Sequence, residues 1–408
     1  MNRGYKKTIT IILLTIVFSL IPIFSSTFYG SIASAESKSE ENILNDVTEE
    51  TIGKEAEEGL NNLYSYINKM KTDVELMNEL DPVEYFKSYV KNGQGNITFE
   101  TITKIVLSIL FKEVKSVLKL VISVIVIAIL CSLLKNLQDA FKNDNISQIA
   151  FFACYSILIM ILSKSFLIAL SVATNAINEM ANFMNALLPI LVTMISLAGG
   201  FVQAATLDPI ILVSVTLIPK IYVTIIIPLI LISFVMQFAN NLSTEYKIDN
   251  LCKLMKQTIL LLQGVIITVF IAILTIRGIT ADTMDAVALK TTKFAVDNFI
   301  PIVGKTFSDA ITSVAGYSLI IKNAITGVGL IVIVLVILYP IVKLGIMTFI
   351  YKLSSALVEP ISDKRITNAI SSVSEALTLL VSCVISVSFM FFILLGIMAS
   401  AGKFIVGG

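Results

Sequence analysis

Residues 184–191 read MNALLPIL and residues 296–303 read VDNFIPIV, and whether these two stretches cross a membrane decides the topology of the chain. Pro189 falls over Pro301 at an offset of 112, and at the same offset Pro228 falls over Pro340. The charged stretch EYKIDN at 245–250 matches DKRITN at 363–368 at an offset of 118, which continues so that Leu261, Leu262 and Gly278 fall over Leu379, Leu380 and Gly396. Two prolines, a charged loop and an apolar run recur in order, the mark of an internal repeat.

The surroundings of these stretches are those of a membrane. The chain has 408 residues, 56% hydrophobic and 14% charged, with a mean hydropathy of +0.88, which indicates an all-α polytopic membrane protein. Apolar runs of spanning character lie at 118–134, 149–173, 221–239, 259–276, 328–346 and 376–399. Two further stretches are equivocal: 183–205, with Pro189, Gly199 and Gly200, and 294–321, with Pro301 and Gly304.

Parallel copies put their charged loops on one side, so an even number of crossings separates them. The runs 259–276 and 328–346 supply that number only if 294–321 does not cross, and by analogy 183–205 does not cross either. The expectation is therefore about six transmembrane helices plus two re-entrant or interface-lying segments on the outer side. Lys247, Lys253 and Lys256 then lie inside, as the positive-inside tendency prefers. An opening hairpin looks like a third copy, giving units at about 101–173, 183–278 and 294–400. It begins with an amphipathic stretch in which Lys104, Ser108, Lys112, Lys115 and Lys119 lie opposite Ile102, Ile105, Val106 and Ile109. Those lysines on the outer face run against the positive-inside tendency.

The net charge of +1 conceals three blocks. Residues 1–35 carry +3 from Arg3, Lys6 and Lys7, then an apolar run at 9–24 and the small residues Ala33-Ser34-Ala35, which together read as a signal peptide. Cleavage after Ala35 is the preferred reading and an uncleaved anchor the other; on either, the chain from Glu36 onward leaves the cytoplasm. Residues 36–100 are acidic and read as an exported helical region: between 36 and 103, fifteen acidic residues stand against six lysines. Within it Leu60, Leu63, Ile67, Met70, Val74 and Met77 form one apolar stripe at helical spacing, and Asp81-Pro82 ends it. The stripe is either a docking surface for a partner or a face that folds back on the chain itself. The remainder, 101–408, is the basic membrane domain.

Chemistry is sparse. The chain has no His and no Trp, which removes Ser-His-Asp and Cys-His catalysis and His-ligated metals. Cys131, Cys154, Cys252 and Cys383 show no C-x-x-C spacing and read as small apolar side chains. No phosphate-binding loop, zinc motif, cofactor site or basic aromatic patch for nucleic acid is present. Pro189, Gly199, Gly200, Pro301 and Gly304 are candidate pore or re-entrant elements, because backbone freed at membrane depth persists only when buried in protein or lining a cavity; ordinary packed kinks are the other reading. Lys164, Lys220 and Lys343 interrupt apolar runs. Snorkelling to the interface suits Lys220 and Lys343, while for Lys164 a functional role stands equally open.

The segment 299–336, FIPIVGKTFSDAITSVAGYSLIIKNAITGVGLIVIVLV, with LLPILVTMISLAGG at 187–200, the leader and the acidic block, closely resembles the stage III sporulation protein AE family of endospore-forming bacteria. The resemblance covers essentially the whole chain; 299–336 is its most specific part. It implies a multi-pass subunit of the channel complex built in the mother-cell membrane around the engulfed forespore, required for development after engulfment. Expected partners are other stage III sporulation membrane proteins, a forespore protein reaching across the intermembrane space, a cytoplasmic secretion-type ATPase and membrane lipid. The family brings no catalytic residues. Beside this non-enzymatic channel subunit stand two alternatives, a permease that moves a small solute by itself and an assembly scaffold without a conduit.

Overall fold

The computed structural model describes residues 54–73, 82–84, 86, 88, 108, 111–115, 117–118, 121–133, 144–242, 247–299 and 304–401. The leader at 1–35, Val74, Met77 and Pro301 lie outside them. The described chain is helical: α1 (Lys54–Asp73), α2 (Val121–Leu133), α3 (Asp144–Leu197), α4 (Phe201–Ile221), α5 (Ile227–Leu242), α6 (Asp249–Phe299), α7 (Gly304–Val358) and α8 (Lys364–Ser400). A π segment, Tyr222–Ile226, joins α4 to α5 without a turn.

Among the described residues five stretches are long and apolar enough to cross a membrane: Phe152–Leu197, Ser214–Asn241, Asp249–Thr275, Val314–Val358 and Lys364–Ser400. The first of the six expected spans is the shorter α2, preceded by helical residues at 111–115 and 117–118. The two equivocal stretches differ from expectation. Residues 183–197 continue α3, and residues 304–321 continue into the rest of α7, so neither is a separate re-entrant segment. Pro189 does not break α3: its missing N–H frees only the Asn185 carbonyl, and helix formers flank it on both sides. Packing of the surrounding face, where Leu187, Leu188, Ile190 and Leu191 are buried, outweighs a proline cost of about 3 kcal/mol. The boundary expected between 173 and 183 likewise falls inside one helix of 54 residues, about 80 Å long at the helical rise.

The registers give the architecture. α7 and α8 are antiparallel: Ser355 Oγ donates to the Thr367 carbonyl at 3.1 Å, Ser374 Oγ to that of Thr348 at 3.1 Å, and Lys322 Nζ to that of Ala399 at 3.0 Å. α3 is antiparallel to α7, with Tyr351 OH on Ser165 Oγ at 2.7 Å at one level and Leu187 against Gly329 far along both helices. A Cβ on Gly329 would stand 2.6 Å from Leu187 Cδ2, so only glycine lets these helices approach so closely. α6 and α8 lie side by side and parallel, in contact at separations of 119 to 123 residues.

Parallel α6 and α8 bring the α5/α6 and α7/α8 connections to one end. Asn240 closes the first, accepting from the Ile248 amide and donating to Asp249 Oδ1, both at 2.7 Å. Asp363 caps α8 by accepting from the Arg365 amide at 2.7 Å. Ser132, near the end of α2, donates to the Ile361 carbonyl, and Tyr155 of α3 lies beside Asp363 and Arg365. The end of α2 and the α5/α6 and α7/α8 helix ends therefore share one end of the bundle. Phe166 of α3 stacks on Phe234 of α5, with centroids 3.9 Å apart, and closes the core across hairpins.

Cys131 of α2 and Cys154 of α3 have neighbouring thiols. In a variant with Cys252 and Cys383 replaced by alanine, mild oxidation of membranes is expected to join the two. A protease site placed between α2 and α3 would then leave one band on a non-reducing gel and two after reduction; two bands in both lanes would disprove the pairing of α2 with α3.

Candidate functional site

The residues singled out from sequence do not converge. Lys164 and Pro189 are both exposed on the outside of α3, Lys164 among exposed Met160, Leu167 and Ile168. Lys220 is exposed on α4. Gly304 is the first residue of α7. Lys164 and Pro189 lie on the face of α3 turned away from α7 and α8.

Gly199 and Gly200 form the turn from α3 to α4. The Gly200 amide bonds the Ile195 carbonyl and the Gly199 amide that of Ser196, both at 2.9 Å, and Gly199 has φ 89°. This is a Schellman stop, whose left-handed residue favours glycine. A Cβ on Gly200 would meet Ile195 Cγ2 at 2.8 Å. The pair ends α3 and turns the chain into α4.

The apolar stripe of α1 is also occupied. Leu63, Ile67 and Met70 are buried in the main core and Leu60 packs against it. Gly59 abuts Ile190, and the Tyr66 and Phe183 rings lie 6.4 Å apart, so α1 runs antiparallel along the distal half of α3. Of the two readings open in the sequence, the chain itself takes this face. An acidic amphipathic helix thereby covers apolar α3 surface and turns Asn61, Asn62, Ser65, Asn68 and Lys69 outward.

What the bundle interior does hold is a small set of polar groups. Lys322 of α7 is 0% exposed, and its ammonium donates to the carbonyls of Ala399 and Ala401. It caps α8 from a neighbouring helix, where the last carbonyls have no intrahelical donor and the dipole favours a cation. Glu113 is buried, with Oε2 3.6 Å from Lys343 Nζ, which also donates to Tyr339 OH at 2.6 Å. Lys343 therefore pairs with Glu113 where snorkelling was the expectation. This pair and the Ser132 contact repeat nearly the same spacing, which sets the helical residues 111–115 and α2 parallel to α7.

Gln263 of α6 is buried. Its amide donates to Cys383 Sγ at 3.3 Å and its carbonyl accepts from Ser382 Oγ at 3.0 Å. Nearer the loop end Lys256 and Glu375 form a half-exposed ion pair at 3.0 Å. Lys322, Gln263 and Glu113 were missed in sequence. The available signal was the one that picked out Lys343, a lone polar group interrupting an apolar run, and only helix phase separates it from Lys164.

Lys322→Met keeps the buried stem but leaves two carbonyls without their donor, so the detergent-solubilised protein should melt lower, by about 1–3 kcal/mol of stability. Protection from hydrogen exchange should fall first at the end of α8; equal protection there would refute the cap. For the pair, Glu113→Lys and Lys343→Glu should each destabilise by on the order of 3 kcal/mol. The double variant should recover most of that loss, whereas additive losses in the melting curves would show that the two charges do not interact.

Comparison with known proteins agrees with this architecture in extent. The family model described as Stage III sporulation protein AE matches residues 80–402. A curated protein of Bacillus subtilis (strain 168), Stage III sporulation protein AE, is 30% identical over 312 residues, covering 76% of this chain and 78% of that protein. No solved structure matches the chain. With the match running from residue 80 through the end of α8, the chain belongs to the stage III sporulation protein AE family.

Proposed function

We propose that this sporulation protein is a non-enzymatic membrane subunit of the channel complex between mother cell and forespore. It would reside in the mother-cell membrane around the forespore, with residues 36–100 on the extracytoplasmic side, and act in development after engulfment. Membership of the family supports the setting. The observation that carries the reading furthest is the length of α3 and α7. Their apolar stretches of 46 and 45 residues are about 68 Å long, more than twice the roughly 30 Å of a bilayer core. Part of each must therefore emerge from lipid and be covered by protein.

α1 covers one such part and presents a polar surface. In this reading that surface faces the intermembrane space, where other stage III sporulation membrane proteins and a forespore partner are the expected company. A secretion-type ATPase would act from the loop end. The basic residues there, Lys247, Lys253, Lys364 and Arg365, suit a cytoplasmic face and its anionic lipid.

Affinity purification of the full-length protein from sporulating cells is expected to recover other membrane proteins of the same complex, while the lone protein in proteoliposomes moves no solute. Solute transport by the lone protein would replace this reading with the permease. Recovery of partners in assemblies that conduct nothing would favour the scaffold.

A further inference from the structure

The outward stripe of α3 changes character along its length. It is apolar at Met160, Leu167 and Ile168 and turns polar beyond them, where Asn175, Asn178, Asn182 and Asn185 are all exposed at helical spacing. The opposite face, with Ile177, Met180 and Met184, is buried in the core. α1 runs along this same length. Tyr66 stands beside Phe183 and Gly59 against Ile190, so exposed Lys69 is level with Met180.

The registers give the depth of this polar stretch to within about one helical turn. Leu187 meets Gly329, so Asn182 is level with Val334 of α7. Ser374 bonds Thr348, which sets Val334 level with Ser388 of α8. Gln263 bonds Ser382, which sets Ser388 level with Val269 of α6. The same steps bring Asn178 level with Val265. Val265 and Val269 are 49% and 51% exposed, with exposed Leu261 and Ile273 on either side of them in the apolar stretch Asp249–Thr275. α5 agrees: exposed Ile225 lies one turn from Tyr222, which bonds Ser386 at this depth.

At one depth, then, the bundle carries outer faces of opposite chemistry. The α6 face suits lipid and in water would be an apolar patch. Four asparagines and a lysine suit water; in hydrocarbon the amides would lack partners and the ammonium its hydration. Neither lipid on all sides nor water on all sides satisfies both. We propose that the outward faces of α1 and of α3 from Asn175 to Asn185 line a water-filled recess at the depth of the bilayer, while α5 and α6 meet lipid. The recess opens toward the turn at Gly199 and Gly200, because the stripe is apolar in the other direction. This goes beyond the channel reading, since a permease or a scaffold would accommodate the same recess.

Cysteine chemistry separates the two faces. A thiol reacts with N-ethylmaleimide as the thiolate, which forms in water and not in lipid. In the full-length protein with Cys131, Cys154, Cys252 and Cys383 replaced by alanine, Asn178→Cys, Asn182→Cys, Val265→Cys and Val269→Cys are made singly. In membranes from sporulating cells, where the protein has its neighbours, the two asparagine positions should react about tenfold faster than the two valine positions. After unfolding in detergent all four should react alike. Slow reaction at all four sites places the α3 face in lipid or beneath another helix, and fast reaction at all four places this depth outside the bilayer. Either result overturns the proposal. Where an asparagine variant does not accumulate, Asn175→Cys and Asn185→Cys read the same face. The readout is water contact and not flux, so this proposal and the channel reading fail independently.

Discussion

One constraint runs through this structure: in apolar surroundings every backbone donor and acceptor must find its partner inside the protein. Helices meet it along their length and fail it at their ends, so the ends carry the chemistry. The last carbonyls of α3 are met by Gly199 and Gly200 folding back, and those of α8 by a lysine from α7. Asp363 meets the Arg365 amide in the first turn of α8.

α3 and α7 are the pillars on which the rest is hung. Their antiparallel pairing holds from Ser165 and Tyr351 to Leu187 and Gly329, 22 residues apart on each helix, or about 33 Å. α8 lies against both, α6 runs beside α8, and α1 lines the far half of α3. Because α6 and α8 are parallel, two similar hairpins pack side by side with their connections together. The charged residues of those connections are thereby concentrated at one end.

Much of this was legible. The apolar runs and the charged connections between them are carried by composition and order. The α1 stripe was legible as a helical face, since burial of Leu63, Ile67 and Met70 follows its spacing. Its occupant was not, because a 3.5-residue repeat looks alike whether the facing helix belongs to the same chain or to another. Pro189 misled for a related reason: local preference argues for a break, whereas packing on both sides of it carries the helix through.

The sequence by itself determined that the chain is an all-helical membrane protein and that it belongs to a sporulation family. Those properties reside in hydrophobic length and residue order, which need no partner to be expressed. Tertiary structure alone decided which lone polar residues matter. Lys164 and Lys322 both interrupt apolar runs, yet one points outward and the other caps α8. Helix phase and the neighbour across the interface make that difference, and neither is written in the local sequence.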